Sequence, residues 1–204
     1  MDREILLPKF DFVFKLIFGD LRNIDILVAF LQAVIDLPVE EYGEISILDP
    51  NLRQESENDK LGILDILINT KSGKIVNVEI QVERIPEMRE RLTFYTSKLV
   101  TRQISKGGDY QKIKRVINIL ITDHVFVPEN DAYHNCFILY DPKTGARLTD
   151  LIEIHTLELP KTPVNADDTD LWKWLRFLRS ERKEEFDMIA KEDPKIEKAV
   201  AVLM

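Results

Sequence analysis

Apolar residues change period several times along the chain, and each change marks an element. Over 11–37 they recur as Phe14, Ile17 and Phe18, then Ile24, Leu27, Val28, Leu31 and Ile35. This is the i, i+3, i+4 stripe of an amphipathic helix. The pattern predicts a helix broken near Gly19-Asp20 and ended by Pro38, with its aromatic residues in the core. Residues 44–48 read as a short strand. Asp49-Pro50-Asn51 reads as a turn, and 51–60 is a polar stretch. Between 61 and 82 the period falls to two. Two β-branched runs flank Thr70-Lys71-Ser72-Gly73, the signal of a β-hairpin turn. A hairpin symmetric about Ser72 sets Asp65 opposite Glu79. Side chains alternate faces along a strand, so Leu64, Ile66, Ile68, Val76, Val78, Ile80 and Val82 share a core face. Asp65, Asn77, Glu79 and Gln81 share the other, beside Ile63 and Leu67.

Residues 84–106 return to helical spacing, with Met88, Leu92, Tyr95 and Leu99 as the core stripe. Pro86 suits the first turn, Glu87 the N-terminal dipole, and Gly107-Gly108 the stop. The near-continuous apolar run at 115–122 predicts a buried central strand, reached from the hairpin by a helical crossover. Residues 136–140 and 151–159 predict a second hairpin that extends the sheet. A linker begins at 161–163. Asp168 or Thr169 then caps a helix carrying Leu171, Trp174, Leu175 and Leu178, with Trp172 and Phe177 off that stripe. Pro194 opens a last helix. The division expected is one α/β domain over 1–160 and a helical extension over 161–204. The apolar ending at Met204 reads either as a chain whose relatives continue, or as a tail packed on the core or on a second subunit, which leaves a homodimer open.

With 204 residues and 45% apolar content, a sizeable core is feasible. No apolar run reaches the roughly 18 residues of a membrane-spanning helix, and Met1-Asp2-Arg3-Glu4 lacks a signal-peptide core. Cys136 is the single cysteine, which excludes an internal disulfide. His134 and His155 have no partners at metal-ligand spacing along the chain, and His124 after the central strand reads as structural. A cytoplasmic chain is the simple expectation. The net charge of −8 argues against a nucleic-acid partner until its distribution is read. Residues 84–115 carry nine Lys/Arg against three Asp/Glu. Within them Arg91, Lys98 and Arg102 lie at i, i+7 and i+11 and share a helix side. Such a row suits phosphate contacts; a solvated helix face is the commoner meaning of any charge run.

Two carboxylates opposed on adjacent strands repel each other, and burying them unpaired costs several kcal/mol, roughly, or forces one to protonate. A divalent cation with a taste for hard oxygen ligands removes that conflict. Water or a lysine partner on a solvated hairpin face would remove it as well.

The ordered set FDFVFKLIFG (10–19), ILDI (63–66), VNVEIQ (76–81) and RLTFYTSKLVTRQISKGGDY (91–110) resembles the PD-(D/E)XK nuclease superfamily. More narrowly it resembles the bacterial recombination-promoting nuclease and putative transposase group, over roughly residues 8–125. The resemblance implies a restriction-endonuclease-like α/β core, a mixed central sheet flanked by helices, and metal-dependent hydrolysis of DNA phosphodiesters. It implies Mg²⁺ or Mn²⁺ held by Asp65, Glu79 and the backbone carbonyl of Ile80. Gln81 stands where most members have lysine, so it supplies an amide rather than a charge. Lys15 is the best spare cation, with Asp11, its i+4 neighbour, as an extra acid; Lys60 falls on the other parity of its strand. Tyr95, Gln103 and Tyr110 match positions where the resemblance implies a supporting role. The rival expectation is a catalytically impaired DNA-binding or regulatory protein on the same fold. A third is an interaction module whose acidic surface meets a protein.

Overall fold

The computed structural model describes residues 6–49, 51–52, 62–165 and 167–203. The polar stretch at 53–61, with Lys60 and Leu61, lies outside the described residues. Two helices open the chain, α1 (Asp11–Phe18) and α2 (Ile24–Val34), separated by Gly19 and a 3₁₀ turn over Leu21–Asn23. The break falls where Gly19-Asp20 predicts it. Asp20 closes the turn by accepting a hydrogen bond from the Arg22 amide (2.9 Å).

Strands β1 (Ser46–Ile47), β2 (Asn51–Leu52), β3 (Gly62–Ile63), β4 (Ile66–Asn69) and β5 (Ile75–Gln81) follow. The β4–β5 register pairs Ile66 with Val78 and Leu67 with Asn77, so the hairpin is centred on Ser72 as expected. Gly73 takes φ +87° in its turn, a conformation natural only to glycine. The first arm is nevertheless split. Gly62–Ile63 pairs with Asn51–Leu52 in a separate two-stranded sheet, and Leu64 and Asp65 lie between the two strands. Alternation breaks there. Leu64 packs with Leu67, Tyr95 and Leu99, whereas Ile66 and Ile68 join the opposite core cluster. The shared face expected for Leu64, Ile66 and Ile68 is therefore corrected.

Helix α3 (Met88–Thr101) crosses from β5 to β6 (Val116–Thr122), which lies parallel to β5. It is shorter than the periodicity suggests. Beyond it, Gln103 is clamped sideways: its amide accepts from the Lys114 N–H (2.8 Å) and donates to the Lys114 carbonyl (3.0 Å). Strands β7 (His134–Ile138) and β8 (Ile152–Glu158) form the second hairpin, with β8 parallel to β6. The main sheet runs β1-β4-β5-β6-β8-β7. It is mixed and flanked by helices on both faces: an α/β fold of the PD-(D/E)XK type.

Helices α4 (Asp170–Arg179), α5 (Lys183–Ile189) and α6 (Pro194–Leu203) share one buried cluster with α1 and α2. Trp174 sits among Phe18, Phe30 and Phe177, at centroid distances of 5.7, 6.0 and 6.0 Å. Trp172 and Phe177 are buried too, so α4 is apolar on more than one side. Thr169 caps it, accepting from the Trp172 amide at 3.1 Å. On the other sheet face α3 covers smaller clusters around Leu67, Leu99 and Leu120.

Candidate active site

The polar side chains converge at the carboxyl end of β5, between the α1 layer and the α3 layer. A buried ladder sets α3 over the sheet. Asn77 donates to Asn118 (3.1 Å), Asn118 to Thr96 (3.0 Å), and the Thr96 hydroxyl to the Leu92 carbonyl (2.7 Å). One turn before Thr96, Arg91 then reaches Glu79, its Nη2 lying 3.3 Å from Oε1. The guanidinium also lies over the Tyr95 ring, 5.5 Å from its centroid. Tyr95, expected in a supporting role, thus lies beneath the guanidinium that reaches Glu79.

Asp65 does not face Glu79 as a ladder partner, because β4 starts one residue later, at Ile66. Beside the turn the Thr70 N–H donates to the Lys74 carbonyl (2.9 Å), at a hydrogen-bonding position of the register. The alternation of antiparallel pairs would therefore make Leu64 and Ile80 another. Instead the Ile80 N–H donates to Asp65 Oδ2 at 2.9 Å. The aspartate side chain replaces a backbone acceptor where the strand breaks, and this fixes its position. Its other oxygen lies 3.0 Å from Lys15 Nζ, and Lys15 also pairs with Asp11 at 2.7 Å. Lys15 and Asp11, read as secondary candidates, are thus brought directly to Asp65.

The electrostatics are unresolved by the protein alone. Glu79 is 5% exposed. Burial pushes its carboxyl up to about 7; the Arg91 charge opposes this, and the Asp65 charge adds to it. Burial likewise raises Asp65, against the Ile80 hydrogen bond and Lys15. For Asp11 burial also disfavours the charge, but Lys15 and a hydrogen-bonding interaction with Asp65 outweigh it and hold the group low. Lys15, although desolvated, is raised by its two aspartates. Part-buried Asp65 and buried Glu79 have one side-chain cation each, Lys15 and Arg91, which for Glu79 falls short of the cost of burial. The carboxylate oxygens, with the Ile80 carbonyl on the same strand, fit a divalent metal.

The remaining candidates are placed less centrally. Gln81 turns its amide to the Glu83 carbonyl (3.0 Å). Gln103 ties the end of α3 to the entry of β6. Tyr110 stands 80% exposed and, among the described residues, joins none of the carboxylates' contacts. Lys98 lies over the Phe94 ring at 5.3 Å. Arg102 is lowered by burial, against the nearby Asp49 charge. Arg91 as the partner of Glu79 was not legible from helical spacing, which placed it only on a charged row.

A model of the PD-(D/E)XK nuclease family transposase group matches residues 8–204, and the chain belongs to that family. No significant match was found among curated proteins or among solved structures. Nucleases of this class generally use divalent metals. Among the described residues no helix is long and apolar enough to cross a membrane.

Proposed function

We propose that the chain is a metal-dependent DNA endonuclease whose site is Asp65, Glu79 and the Ile80 carbonyl, served by Lys15 and Arg91. The observation that carries this reading is Glu79, a buried carboxyl pushed up to about 7 that feels the charge of part-buried Asp65. Strongly perturbed groups of this kind mark functional sites more often than structural ones. A bound Mg²⁺ or Mn²⁺ would polarise a phosphate oxygen and lower the pKa of its water. Asp65 and Glu79 would hold the ion, and the Ile80 N–H keeps Asp65 from turning away. Lys15, rather than Gln81, stands nearest the charge developing at the phosphate. Arg91 is released from Glu79 to meet a phosphate oxygen, for which its planar fork is suited. Lys98, and Arg102 behind it, continue that path along α3.

The test is nicking of supercoiled plasmid in Mg²⁺ or Mn²⁺ by wild type and by Asp65→Asn, with metal binding followed separately by calorimetry. Wild type cleaves and Asp65→Asn does not. Lys15→Ala retains metal binding and loses about 10²-fold in rate, the scale of one electrostatic contact to a transition state. Metal binding and retention of the plasmid without cleavage would favour instead a catalytically silent DNA-binding protein, the reading that the turned-away Gln81 amide supports. The direction of Gln81→Lys separates the cases further. Activity rises if the lysine position is simply empty and falls if Lys15 already fills it.

A further inference from the structure

A second polar cluster lies at the outer edge of the sheet. The β7–β8 register sets Cys136 opposite His155, and Glu153 lies two residues from His155 on the same strand. One ligand atom from each of the three falls within 4.8 Å of the others. His155 Nε2 is 2.8 Å from Glu153 Oε1 and 3.9 Å from Cys136 Sγ. The chain spacing of these residues gave no hint of ligation; strand pairing alone unites them.

We propose that Cys136, Glu153 and His155 form a soft-metal site that takes Zn²⁺, separate from the carboxylate site on β4 and β5 and independent of the nuclease reading. Tetrahedral Zn²⁺ with bonds of about 2.0–2.3 Å holds its ligand atoms roughly 3.3–3.7 Å apart. The Cys136–His155 distance of 3.9 Å must close by a few tenths of an ångström. The Glu153–His155 contact must open by roughly half an ångström, at the expense of the hydrogen bond it makes without metal. Thiolate and carboxylate together neutralise the ion.

The surroundings supply the outer support that bound ligands need. With His155 Nε2 on the metal, Nδ1 carries the proton, and His134 Nε2 lies 2.8 Å away to accept it. The Arg115 guanidinium pairs with the second Glu153 oxygen. Glu153 and His155 are buried while Cys136 is exposed, which leaves an entry path from the Cys136 side, and a water would complete the tetrahedron. Hard Mg²⁺ has no use for a thiolate, so the two sites sort ions by chemistry. β7 is the sheet's terminal strand and pairs with β8 alone; a metal across that pair ties down the edge.

The probe is Co²⁺ added to the untagged full-length chain, with Zn²⁺ competition read by displacement. Cys136 is the single cysteine, so a thiolate-to-cobalt charge-transfer band reports this site alone. The expected result is a band saturating at one Co²⁺ per chain and displaced by Zn²⁺. It is lost in Cys136→Ser, weakened in His155→Gln and Glu153→Gln, and unchanged in Asp65→Asn. His134→Asn keeps the band and loosens Zn²⁺ by about 10–100-fold, the usual cost of an outer partner. Absence of the band at stoichiometric Co²⁺ overturns the proposal. So does a band indifferent to both His155→Gln and Glu153→Gln in folded protein, or one found only in a dimer bridged through two thiolates.

Discussion

Glu79 and Glu158 are both buried glutamates, and they are solved in opposite ways. Glu158, fully buried, accepts from the Phe126 amide (2.8 Å), the Val127 amide (3.3 Å) and Asn135 Nδ2 (3.4 Å), and pairs with Lys161 Nζ at 3.0 Å. It pins the chain leaving β6 to the end of β8. Glu79 has one described partner, Arg91 at 3.3 Å, and the like charge of Asp65 nearby. A structural carboxylate is surrounded by donors belonging to the fold. A carboxylate meant for a ligand is left short of them, since the missing donor or cation is what the ligand brings.

The contrast makes its largest prediction in catalysis. Asp65→Asn and Glu79→Gln should each reduce metal-dependent cleavage by more than the roughly 10–100-fold expected for a lost outer partner, with circular dichroism unchanged. Full activity in either, with contaminating nuclease excluded, would break the distinction drawn between the two glutamates. Glu158→Ala should act on stability instead. It strands the Phe126 and Val127 amides and removes the counter-ion of part-buried Lys161, whose Nζ keeps the Val127 and Asn130 carbonyls (2.6 and 2.7 Å), at about 3–5 kcal/mol, read as a lower denaturation midpoint.

A somewhat smaller effect depends on pH. In the unfolded chain Glu79 ionises near 4.5, and in the metal-free fold near 7. The folded state therefore disfavours the charged form. This group's penalty is absent below about pH 4.5 and complete above about pH 7, so stability falls as pH rises through that window. The drop is about 3 kcal/mol at most. Urea titrations in chelator at the two ends of the window should show it, and Glu79→Gln should reduce the slope and stabilise the protein at neutral pH. Equal slopes in wild type and Glu79→Gln would mean that Glu79 is satisfied after all.

The smallest effect concerns α3. Lys98→Ala should weaken DNA binding alike for all sequences and lower the salt slope by about one. Arg102→Ala should do less, because the nearby Asp49 charge already offsets its guanidinium. An unchanged slope in the double variant would make this helix side a solvated face.

Much of this was legible in residue order. The helix break at Gly19-Asp20, the Ser72-centred hairpin, the crossover to β6, the second hairpin and the Thr169 cap are local matters, set by period and turn chemistry. Asp65 and Glu79 stood out because two acids on an otherwise apolar hairpin are conspicuous. Their relation was misjudged because a strand break at Leu64–Asp65 is not written in alternation; it depends on which neighbours compete for the Ile80 N–H.

The sequence by itself determined most of the elements, the family and the two acids as candidates, since these follow from periodicities a few residues long and from short motifs. Only the tertiary structure decided that Arg91 belongs to Glu79, that Lys15 belongs to Asp65, and that Gln81 turns aside. It alone joined Cys136 to Glu153 and His155. Each of those pairings depends on how strands and helices pack across the sheet. A side chain's energy is set by the groups within a few ångströms of it, and chain order does not record which groups those are.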